Sequence, residues 1–422
     1  MNGRDLDVVV FGTTGITGRQ VAAYLAQRAS EEQLTWAAAA RDPAKSAKVL
    51  GEIGVQAPQT LRADVGEADS LQAMASRARV VLNLVGPYTR YGRPVVEACV
   101  SGGAHYLDLT GEMPFVRRTI DEFDEPAKAG GVKVVQTCGF ESLPADLLVA
   151  LARDSARERF KEPLVQADLE AAVAPPAGRP RASDAISGGT LQSVVAIAAD
   201  QDAARTADPA ALITDSEIAE VVRRVSPIQL VPRRGDGGAV LAPMAPAAFI
   251  NPAVIHRSAQ LAASANGEDF TPLRYREGVA LRGSPASLGL RFGVAGVLAA
   301  TQAGLRGMTR ASPAIRQRLA EGLGKIVPDS GFGPTAERLE GWRWTMSVRA
   351  RTTSGRECSA RGEGDGHPGY LSTARMLGEA GIMLSREGIA PQGGGCLTPA
   401  IALGSPVAER LQRAGVRFSL GD

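Results

Sequence analysis

Three glycines near the start of the chain have the spacing of a loop that binds phosphate. Gly12, Gly15 and Gly18 follow an apolar segment over residues 6–11 and precede an amphipathic pattern over 20–28. Glycine lets the backbone turn tightly after a strand, and the free N–H groups at a helix N-terminus bind negative charge. The order of strand, glycines and helix therefore predicts a site for the pyrophosphate of a dinucleotide. The predicted contacts are Gly12, Thr13, Thr14, Gly15, Ile16, Thr17 and Gly18.

The residues after the second apolar segment indicate which dinucleotide binds. Folds that bind NAD carry an acidic residue there, which hydrogen-bonds the ribose 2′-hydroxyl. This chain has Arg41 instead, with Lys45 one turn into the next helix. A guanidinium matches a phosphate, so the sequence favours NADP, with a solvated surface charge as the alternative for Arg41. Asp42 is interpreted as the N-cap of the helix that begins at Pro43.

Two further turns at the carboxyl ends of predicted strands complete the cofactor site. Asp64 follows the third strand, where it either contacts the adenine or caps the next helix. Val85, Gly86, Pro87 and Tyr88 follow the fourth strand, at the edge where the nicotinamide is expected. Gly86 permits close approach and Pro87 restricts the turn. Tyr88 is then placed either to donate a proton or to pack as a wall of the cofactor pocket.

Acidic side chains after the fifth and sixth strands are the other candidates for acid–base chemistry. Asp108 ends the fifth strand and Glu141 follows the sixth, so both belong to the loops that converge with Tyr88. We predict Tyr88, Asp108 and Glu141 as catalytic residues; hinge and capping roles are the alternative for the carboxylates. His105 opens a strand and is interpreted as structural, whereas His256 and His367 are expected in loops. No metal-spaced Cys/His cluster is present, so we predict no metal.

A second glycine pair is a candidate site for substrate. Ser187, Gly188, Gly189 and Thr190 head an apolar helical pattern over 191–199. They either hold a phosphate or carboxylate at the helix N-terminus or cap that helix.

Hydrophobic periodicity predicts the strands and helices that position these residues. Apolar strands alternate with helical patterns over the first ~150 residues, which is typical of a doubly wound Rossmann sheet. The predicted strands are 6–11, 34–40, 60–63, 79–85, 105–108 and 133–136, and the predicted helices are 20–29, 44–50, 68–76, 94–101 and 115–129. Segment 164–173 and segment 342–350, with its partner 357–361, alternate apolar and polar residues instead, as half-buried antiparallel strands do.

The fold prediction is therefore α/β, a Rossmann sheet with an inserted α+β domain whose sheet is largely antiparallel. The predicted boundaries are 1–150 for the NADP-binding domain and 151–390 for the substrate domain. Residues 391–422 form a C-terminal segment whose helix, over 407–414, is expected to return to the first domain.

Composition and charge exclude several classes of protein. The 422 residues include 47 basic and 45 acidic side chains, and a net charge of +2 argues against nucleic acid as a partner. The four cysteines lie far apart without a C-x-x-C pair, which is typical of reduced, packed thiols. The first strand begins almost at residue 1, so no signal peptide is expected and the predicted location is cytoplasmic.

An apolar run over 284–305 raises the question of a membrane. Arg291 interrupts it, and the charge-free part is shorter than the roughly 20 apolar residues that a span needs. We expect a buried helix or the wall of a lipid-binding cavity. The alternative is peripheral contact with the inner face of the plasma membrane.

Together these motifs resemble those of the saccharopine dehydrogenase-like oxidoreductases, and within them the trans-acting enoyl reductase branch. The resemblance covers nearly the whole chain, through GTTGITG (12–18), NLVGPYTRYG (83–92), YLDLTGE (106–112), CGFESLPADL (138–147), SGGT (187–190) and LTPA (397–400). The second and fourth of these runs are more specific than the glycine motif. Glu141 stands where the branch is expected to carry Asp, a change that keeps the charge and lengthens its reach.

The resemblance implies an NADPH-dependent reductase of a carbon–carbon double bond in a lipid or polyketide intermediate, of phthiocerol or phenolic glycolipid type. Such a reaction needs hydride at the β-carbon, stabilisation of the enolate and a proton at the α-carbon. An acyl carrier protein or synthase would present the acyl chain, and Arg223-Arg224 and Arg233-Arg234 are either docking groups for it or solvated charges. A homodimer is a further expectation. Two alternatives stay open: a saccharopine-type imine reductase acting on amino acids, and a non-catalytic NADP-binding protein associated with lipid.

Overall fold

A parallel sheet places the glycine-rich loop at its centre. The structure, a computed structural model, describes residues 3–176, 188–244, 246–325, 327 and 332–421. The strands of this sheet are β1 (Leu6–Phe11), β2 (Trp36–Ala40), β3 (Thr60–Arg62), β4 (Ala78–Asn83), β5 (His105–Asp108), β6 (Lys133–Val135) and β13 (Gly395–Leu397). Their order is β13-β6-β5-β4-β1-β2-β3, with every neighbouring pair parallel. The strand order therefore reverses at β1, where doubly wound sheets bind their ligands.

Helices cover both faces of this sheet. They are α1 (Ile16–Glu32), α2 (Pro43–Gly51), α3 (Ala68–Arg77), α4 (Tyr88–Gly102) and α5 (Met113–Ala129). The predicted strands of this sheet agree with the structure to within two residues, but α4 begins six residues before the predicted position 94. A helix start was expected at Pro94 because proline favours the first turn. The carboxylate of Glu112 instead accepts the N–H groups of Tyr88 and Thr89, at 2.9 and 2.7 Å, and so begins the helix earlier.

A second sheet faces the first across the core. Its strands are β7 (Leu164–Ala174), β8 (Arg233–Arg234), β9 (Val240–Ala242), β10 (Arg274–Leu281), β11 (Arg343–Thr352), β12 (Glu357–Asp365) and β14 (Val416–Leu420). Their order is β14-β12-β11-β7-β10-β9-β8, and each pair is antiparallel except β7 with β10. The predicted hairpin is formed by β11 and β12, and Trp344, Met346 and Val348 of β11 face the core. The predicted fold class is confirmed, with a sheet that is mixed through one parallel pair.

The remaining helices fill the space around the two sheets. They are α6 (Leu143–Phe160), α7 (Gly188–Ala199), α8 (Ser216–Val225), α9 (Asn251–Asn266), α10 (Leu288–Arg310), α11 (Pro313–Gly324), α12 (Thr373–Ser385), α13 (Pro399–Leu403) and α14 (Pro406–Leu411). One hydrophobic core runs from Val8 and Leu82 of the parallel sheet, through Leu148 of α6, to Trp344 and Met346 of the second sheet. The two sheets are therefore joined by continuous apolar packing rather than by a polar interface.

Elements before and after the predicted boundary at residue 390 contribute to the layers of both sheets. Helix α12 packs against α1 of the first layer, and its buried Glu379 accepts a hydrogen bond from Tyr24 Oη at 2.6 Å. Arg28 and Arg410 also approach that carboxylate, with N–O distances of 3.3 and 2.7 Å. Strand β13 extends the parallel sheet, whereas β14 joins the second sheet. The domain boundaries themselves stay a prediction.

The apolar run becomes helix α10, which has two different halves. Leu290, Val294 and Val297 are exposed, at 72, 44 and 68%. Near the other end, Leu305 and Met308 line a cavity. The expectation of a cavity wall thus holds for the end of the helix, while the expectation of a buried helix is wrong for its beginning. By length and composition the stretch Pro285–Arg310 could cross a membrane, and 17% of its most apolar window is buried.

Candidate active site

The glycine-rich loop brings the N-terminus of α1 against the end of β1. Gly12 has φ +102°, and a Cβ there would meet the carbonyl carbon of Leu84 at 2.9 Å. A Cβ on Gly18 would overlap the carbonyl oxygen of Gly12, so only glycine lets the helix start so close to the strand. Gly15 is the N-cap of α1 and supplies no side-chain cap, and the first turn contains no acidic residue. The helix N-terminus is therefore free to bind an anion.

The two polar neighbours of this loop differ in what they do. Thr13 is buried and its hydroxyl lies 2.6 Å from that of Ser46 in α2, so it ties the loop to the adjacent helix. Thr14 and Thr17 are partly exposed and line the cavity described below, as does Ile16.

Arg41 and Lys45 lie beyond the end of β2, beside the loop. Both side chains are exposed, and neither forms a hydrogen bond or ion pair with the described residues. Asp42 caps α2 by accepting the N–H of Lys45 at 2.9 Å, which confirms the predicted cap. Asp64 accepts the N–H of Gly66 at 2.9 Å, so its carboxylate shapes the turn rather than capping a helix; contact with adenine stays a prediction.

A cavity of about 360 Å³ lies directly over the glycine-rich loop. The loops after β1, β4, β5 and β6 form one wall. The opposite wall comes from α7, the 3₁₀ turn Ala203–Ala207, the end of α10 and the segment that leads into α12. The part of the chain after residue 187 thus closes the cavity over the carboxyl edge of the parallel sheet, which is the usual ligand site of such sheets.

Tyr88 lines this cavity with its ring and not with a free hydroxyl. Its Oη donates to the carbonyl of Asn83 at 3.1 Å, and its ring stacks on Phe115 with centroids 6.1 Å apart. Burial and the nearby Asp108 raise the pKa of Tyr88 well above its usual value. The geometry favours the wall role over proton donation. Val85 and Gly86 line the cavity beside it, and Pro87 is the N-cap of α4.

Asp108 holds strand ends together. It is fully buried, and it accepts hydrogen bonds from Thr110 N–H at 3.0 Å, Thr137 N–H at 3.2 Å and Tyr106 Oη at 2.8 Å. Tyr106 in turn accepts from Asn83 at 3.0 Å, so β4, β5 and the loop after β6 share one network. Burial raises the pKa of Asp108 to about 7. Asp108 is absent from the described walls of the cavity, so its contacts indicate a positioning role.

Glu112 forms hydrogen bonds with both walls of the cavity. This residue is buried, and besides capping α4 its carboxylate accepts a hydrogen bond from Ser193 of α7 at 2.7 Å. Both oxygens are therefore occupied. Glu112 ends the motif over 106–112, but the sequence could not reveal Ser193 as its partner, because the two residues are 81 positions apart.

Glu141 is the acidic side chain that remains available. It lines the cavity at the loop after β6, where its Oε2 lies close to the Gly139 backbone. Burial raises the pKa of Glu141 to about 6. No hydrogen bond joins its carboxyl group to another side chain of the described chain, unlike Asp108 and Glu112. A carboxyl group with these properties can hold or release a proton near neutral pH.

The predicted substrate glycines lie on the opposite wall. Helix α7 begins at Gly188, whose N–H donates to the carbonyl of Phe332 at 2.9 Å, and Gly189 lines the cavity. Thr190 belongs to the first turn, and Ser187 lies outside the described residues. These positions place the start of α7 at the cavity, and substrate contact there stays a prediction.

Other polar residues of the cavity were not found from the sequence. Arg306 of α10 lines it, and the Nε of Arg306 is buried without a hydrogen-bond partner among the described residues. The same holds for the buried Oγ1 of Thr206, from the 3₁₀ turn, within the part of the chain that the structure describes. Arg306 directly follows the apolar run, which was the available signal, but only the packing of α10 across the cavity shows where it lies.

The histidines and the arginine pairs are absent from the described walls of the cavity. His105 Nδ1 accepts the N–H of Lys133 at 3.0 Å, a structural contact, and burial lowers the pKa of His105 to about 4. His256 lies inside α9, so the expected loop is wrong, and His367 packs between Trp342 and Tyr370 in a loop as expected. Arg223-Arg224 end α8, whereas Arg233-Arg234 form edge strand β8, so the two pairs are on separate elements.

Comparison with known proteins agrees with this architecture. Residues 8–135 match the family model of the saccharopine dehydrogenase NADP binding domain, which confirms the predicted cofactor type. The solved apo structure of saccharopine dehydrogenase (L-Glu forming) from Saccharomyces cerevisiae superposes with a TM-score of 0.51. That match covers 98% of this chain and 99% of the yeast chain at 12% identity, and so shows the fold alone.

Two curated relatives match nearly the full length. A protein of Mycobacterium tuberculosis strain H37Rv, named as a candidate trans-acting enoyl reductase, is 36% identical over 98% of this chain and 97% of its own. A trans-acting enoyl reductase of Mycobacterium bovis is 33% identical over 98% of this chain and 97% of its own. With the glycine-rich loop, the two-sheet fold and these matches, the chain belongs to the trans-acting enoyl reductase branch of the saccharopine dehydrogenase-like oxidoreductases.

Proposed function

We propose that this protein is an NADPH-dependent enoyl reductase that acts on an acyl thioester of a lipid or polyketide intermediate. The observation that carries the proposal is the cavity over the glycine-rich loop. Its walls are mostly apolar, and Arg306 is the one cation among its described residues. Phthiocerol or phenolic glycolipid intermediates are the substrates that we infer from the resemblance.

The residues around the loop fit NADP. The uncapped N-terminus of α1 would hold the pyrophosphate, and Gly12 and Gly18 allow it close approach. Arg41 and Lys45 have no other described partner and would hold the 2′-phosphate. When bound, NADPH supplies the hydride that reduces the double bond.

Glu141 is the proton donor in this proposal. Hydride at the β-carbon leaves negative charge on the α-carbon and the thioester oxygen, and a proton must then reach the α-carbon. A carboxyl group with a pKa of about 6 is partly protonated near neutral pH and lines the same cavity. Asp108 and Glu112 position the loops, because hydrogen bonds within the protein already occupy their oxygens.

The charge of the cavity distinguishes this function from its rivals. A saccharopine-type imine reductase binds substrates with several carboxylates, which need several cations. The described walls offer one arginine together with Glu112 and Glu141. A non-catalytic NADP-binding protein has no need of an unpaired carboxyl group at the cavity.

We also propose that the protein works in the cytoplasm and touches the inner face of the plasma membrane through α10. The exposed face formed by Leu290, Val294 and Val297 is apolar. The helix has no acidic residue and ends at the exposed Arg310. An anionic lipid surface complements both properties. A second copy of the chain is the competing occupant of this face.

The reaction is tested by supplying different substrates with NADPH. Crotonyl thioester is expected to oxidise NADPH, seen as loss of absorbance, whereas 2-oxoglutarate with lysine is not. Oxidation with the amino-acid pair alone would establish the imine reductase. No oxidation of NADPH with either substrate, despite measurable NADPH binding, would favour the non-catalytic protein.

Replacing Arg41 tests the choice of cofactor. Arg41→Ala should weaken NADPH binding by about 10- to 100-fold, the value of a charge-assisted hydrogen bond, and leave NADH binding unchanged. Fluorescence titration measures both constants. Lys48→Ala, which removes another exposed cation of α2, is the matched control. Equal losses for both nucleotides would contradict the assignment.

Glu141→Gln tests proton donation without altering size. As pH rises through about 6, the protonated fraction of Glu141 falls, so the wild-type rate of reduction should fall above that pH. In Glu141→Gln, kcat should be lower by about 100-fold or more, and its dependence on pH should disappear. Glu141→Asp, which keeps a carboxyl group, should restore part of the rate and part of the pH dependence. NADPH titration checks that the cofactor still binds. A fully active Gln variant with the wild-type pH profile would exclude the role.

Sedimentation with vesicles tests the membrane proposal. The protein should pellet with phosphatidylglycerol vesicles and less with phosphatidylcholine, and Val294→Asp with Val297→Asp should abolish pelleting. Leu420→Asp, on an exposed residue of β14, is the control. Dimerisation through α10 with no vesicle binding would assign the face to a second copy instead.

A further inference from the structure

A second cavity adjoins the first and shares two of its walls. It has a volume of about 350 Å³ and is lined by the segment after the 3₁₀ turn, the end of α8 and the last turns of α10. Ala207 and Arg306 line both cavities. A ligand that occupies both must therefore pass beside Arg306.

The second cavity carries positive charge that nothing in the described chain neutralises. Arg306 and Arg310 lie one helical turn apart on α10, and both line this cavity. Neither forms an ion pair with a described carboxylate. Arg223, the other cation here, is already paired with Asp208 at 2.8 Å. Burial lowers the pKa of Arg306, and the like charge of the nearby Arg310 lowers it further.

Unpaired donors lie at the same junction. In the described chain, the Nε of Arg306 and the hydroxyl of Thr206 are buried without a hydrogen-bond partner. Thr206, a residue that is 8% exposed, lines the first cavity. Buried polar groups are normally hydrogen-bonded, so unpaired ones at a cavity indicate a ligand that bonds them. The dipole of α10 stabilises Arg310 in the last turn, but Arg306 precedes that turn and needs another partner.

We propose that Arg306 and Arg310 bind the phosphate of a 4′-phosphopantetheine arm, so that the substrate is an acyl chain carried on that arm. This inference rests on the proposed function. The phosphate would occupy the second cavity, and the uncharged amide arm would continue past Arg306 and Thr206 through the first cavity toward the glycine-rich loop. A dianion at one end and neutral amides along the rest match a pair of cations followed by mostly apolar walls. The same arm occurs on acyl carrier proteins and in coenzyme A.

Binding measurements test the phosphate site without requiring activity. In calorimetry on the NADP-saturated protein, 4′-phosphopantetheine should bind about 10- to 100-fold more tightly than pantetheine, which lacks the phosphate. Arg306→Ala and Arg310→Ala should each reduce this preference. Arg310 is exposed, so its variant should keep the fold, and Arg318→Ala on α11 is the matched control. Equal affinity for the two compounds, or a variant that weakens NADPH and not 4′-phosphopantetheine, would overturn the proposal.

Kinetics then identify the carrier. The wild type should have a higher kcat/KM for crotonyl-phosphopantetheine than for crotonyl-N-acetylcysteamine, and Arg310→Ala should lower that ratio about tenfold or more. Crotonyl thioesters of an acyl carrier protein and of coenzyme A separate the two sources of the arm. If no thioester is reduced but the phosphate preference in binding persists, the proposed function fails and the phosphate site stands. If every thioester is reduced with equal kcat/KM, the function stands and the phosphate site fails.

Discussion

The close approach of Gly18 to the carbonyl of Gly12 is the constraint on which the rest of the site depends. A side chain at Gly18 would push α1 away from β1, because its first atom would overlap the carbonyl of Gly12. A side chain at Gly12 would press on Leu84 and Val85 in the loop after β4. With both glycines in place, the helix N-terminus opens onto the crevice between β1 and β4. Every other element of the site is arranged around that free, uncapped helix end.

Buried carboxylates keep the surrounding loops in place. Glu112 joins the start of α4 to α7, Asp108 joins the ends of β5 and β6, and Glu379 joins α12 to α1. A buried carboxylate is costly unless hydrogen bonds satisfy its oxygens, so each of these groups holds its partners in defined positions. Glu141 differs from them because it faces the cavity and no other described residue hydrogen-bonds its carboxyl group. That difference, rather than acidity alone, makes it the candidate proton donor.

The elements after residue 187 decide what the cofactor can act on. Helices α7 and α10 and the 3₁₀ turn form the wall opposite the glycine-rich loop, and they bring mostly apolar side chains to it. The same helix α10 presents an apolar face outward and two arginines near the cavity junction. One helix therefore contributes to the cavity, to the proposed phosphate site and to the proposed membrane face. An apolar substrate that is delivered on a charged arm is consistent with all three of these contributions.

Local patterns were sufficient for the parallel sheet and its cofactor loop. Strand periodicity, glycine spacing and the cap at Asp42 depend on residues a few positions apart, so they can be read from sequence and agree with the structure. Helix α4 was misplaced because its cap, Glu112, is 24 positions away from Tyr88. Strand β13 was missed because three residues are too few to show a period.

The sequence by itself thus determined the fold class, the glycine-rich loop and a set of acidic candidates at one sheet edge. Only the tertiary structure decided which of those acids is free, since the hydrogen-bond partners of Asp108 and Glu112 come from other elements. It also brought Arg306 and Thr206, 100 positions apart, to one cavity. The physical reason is that periodicity records the face of an element that is buried, whereas pairing and cavity shape depend on which elements meet.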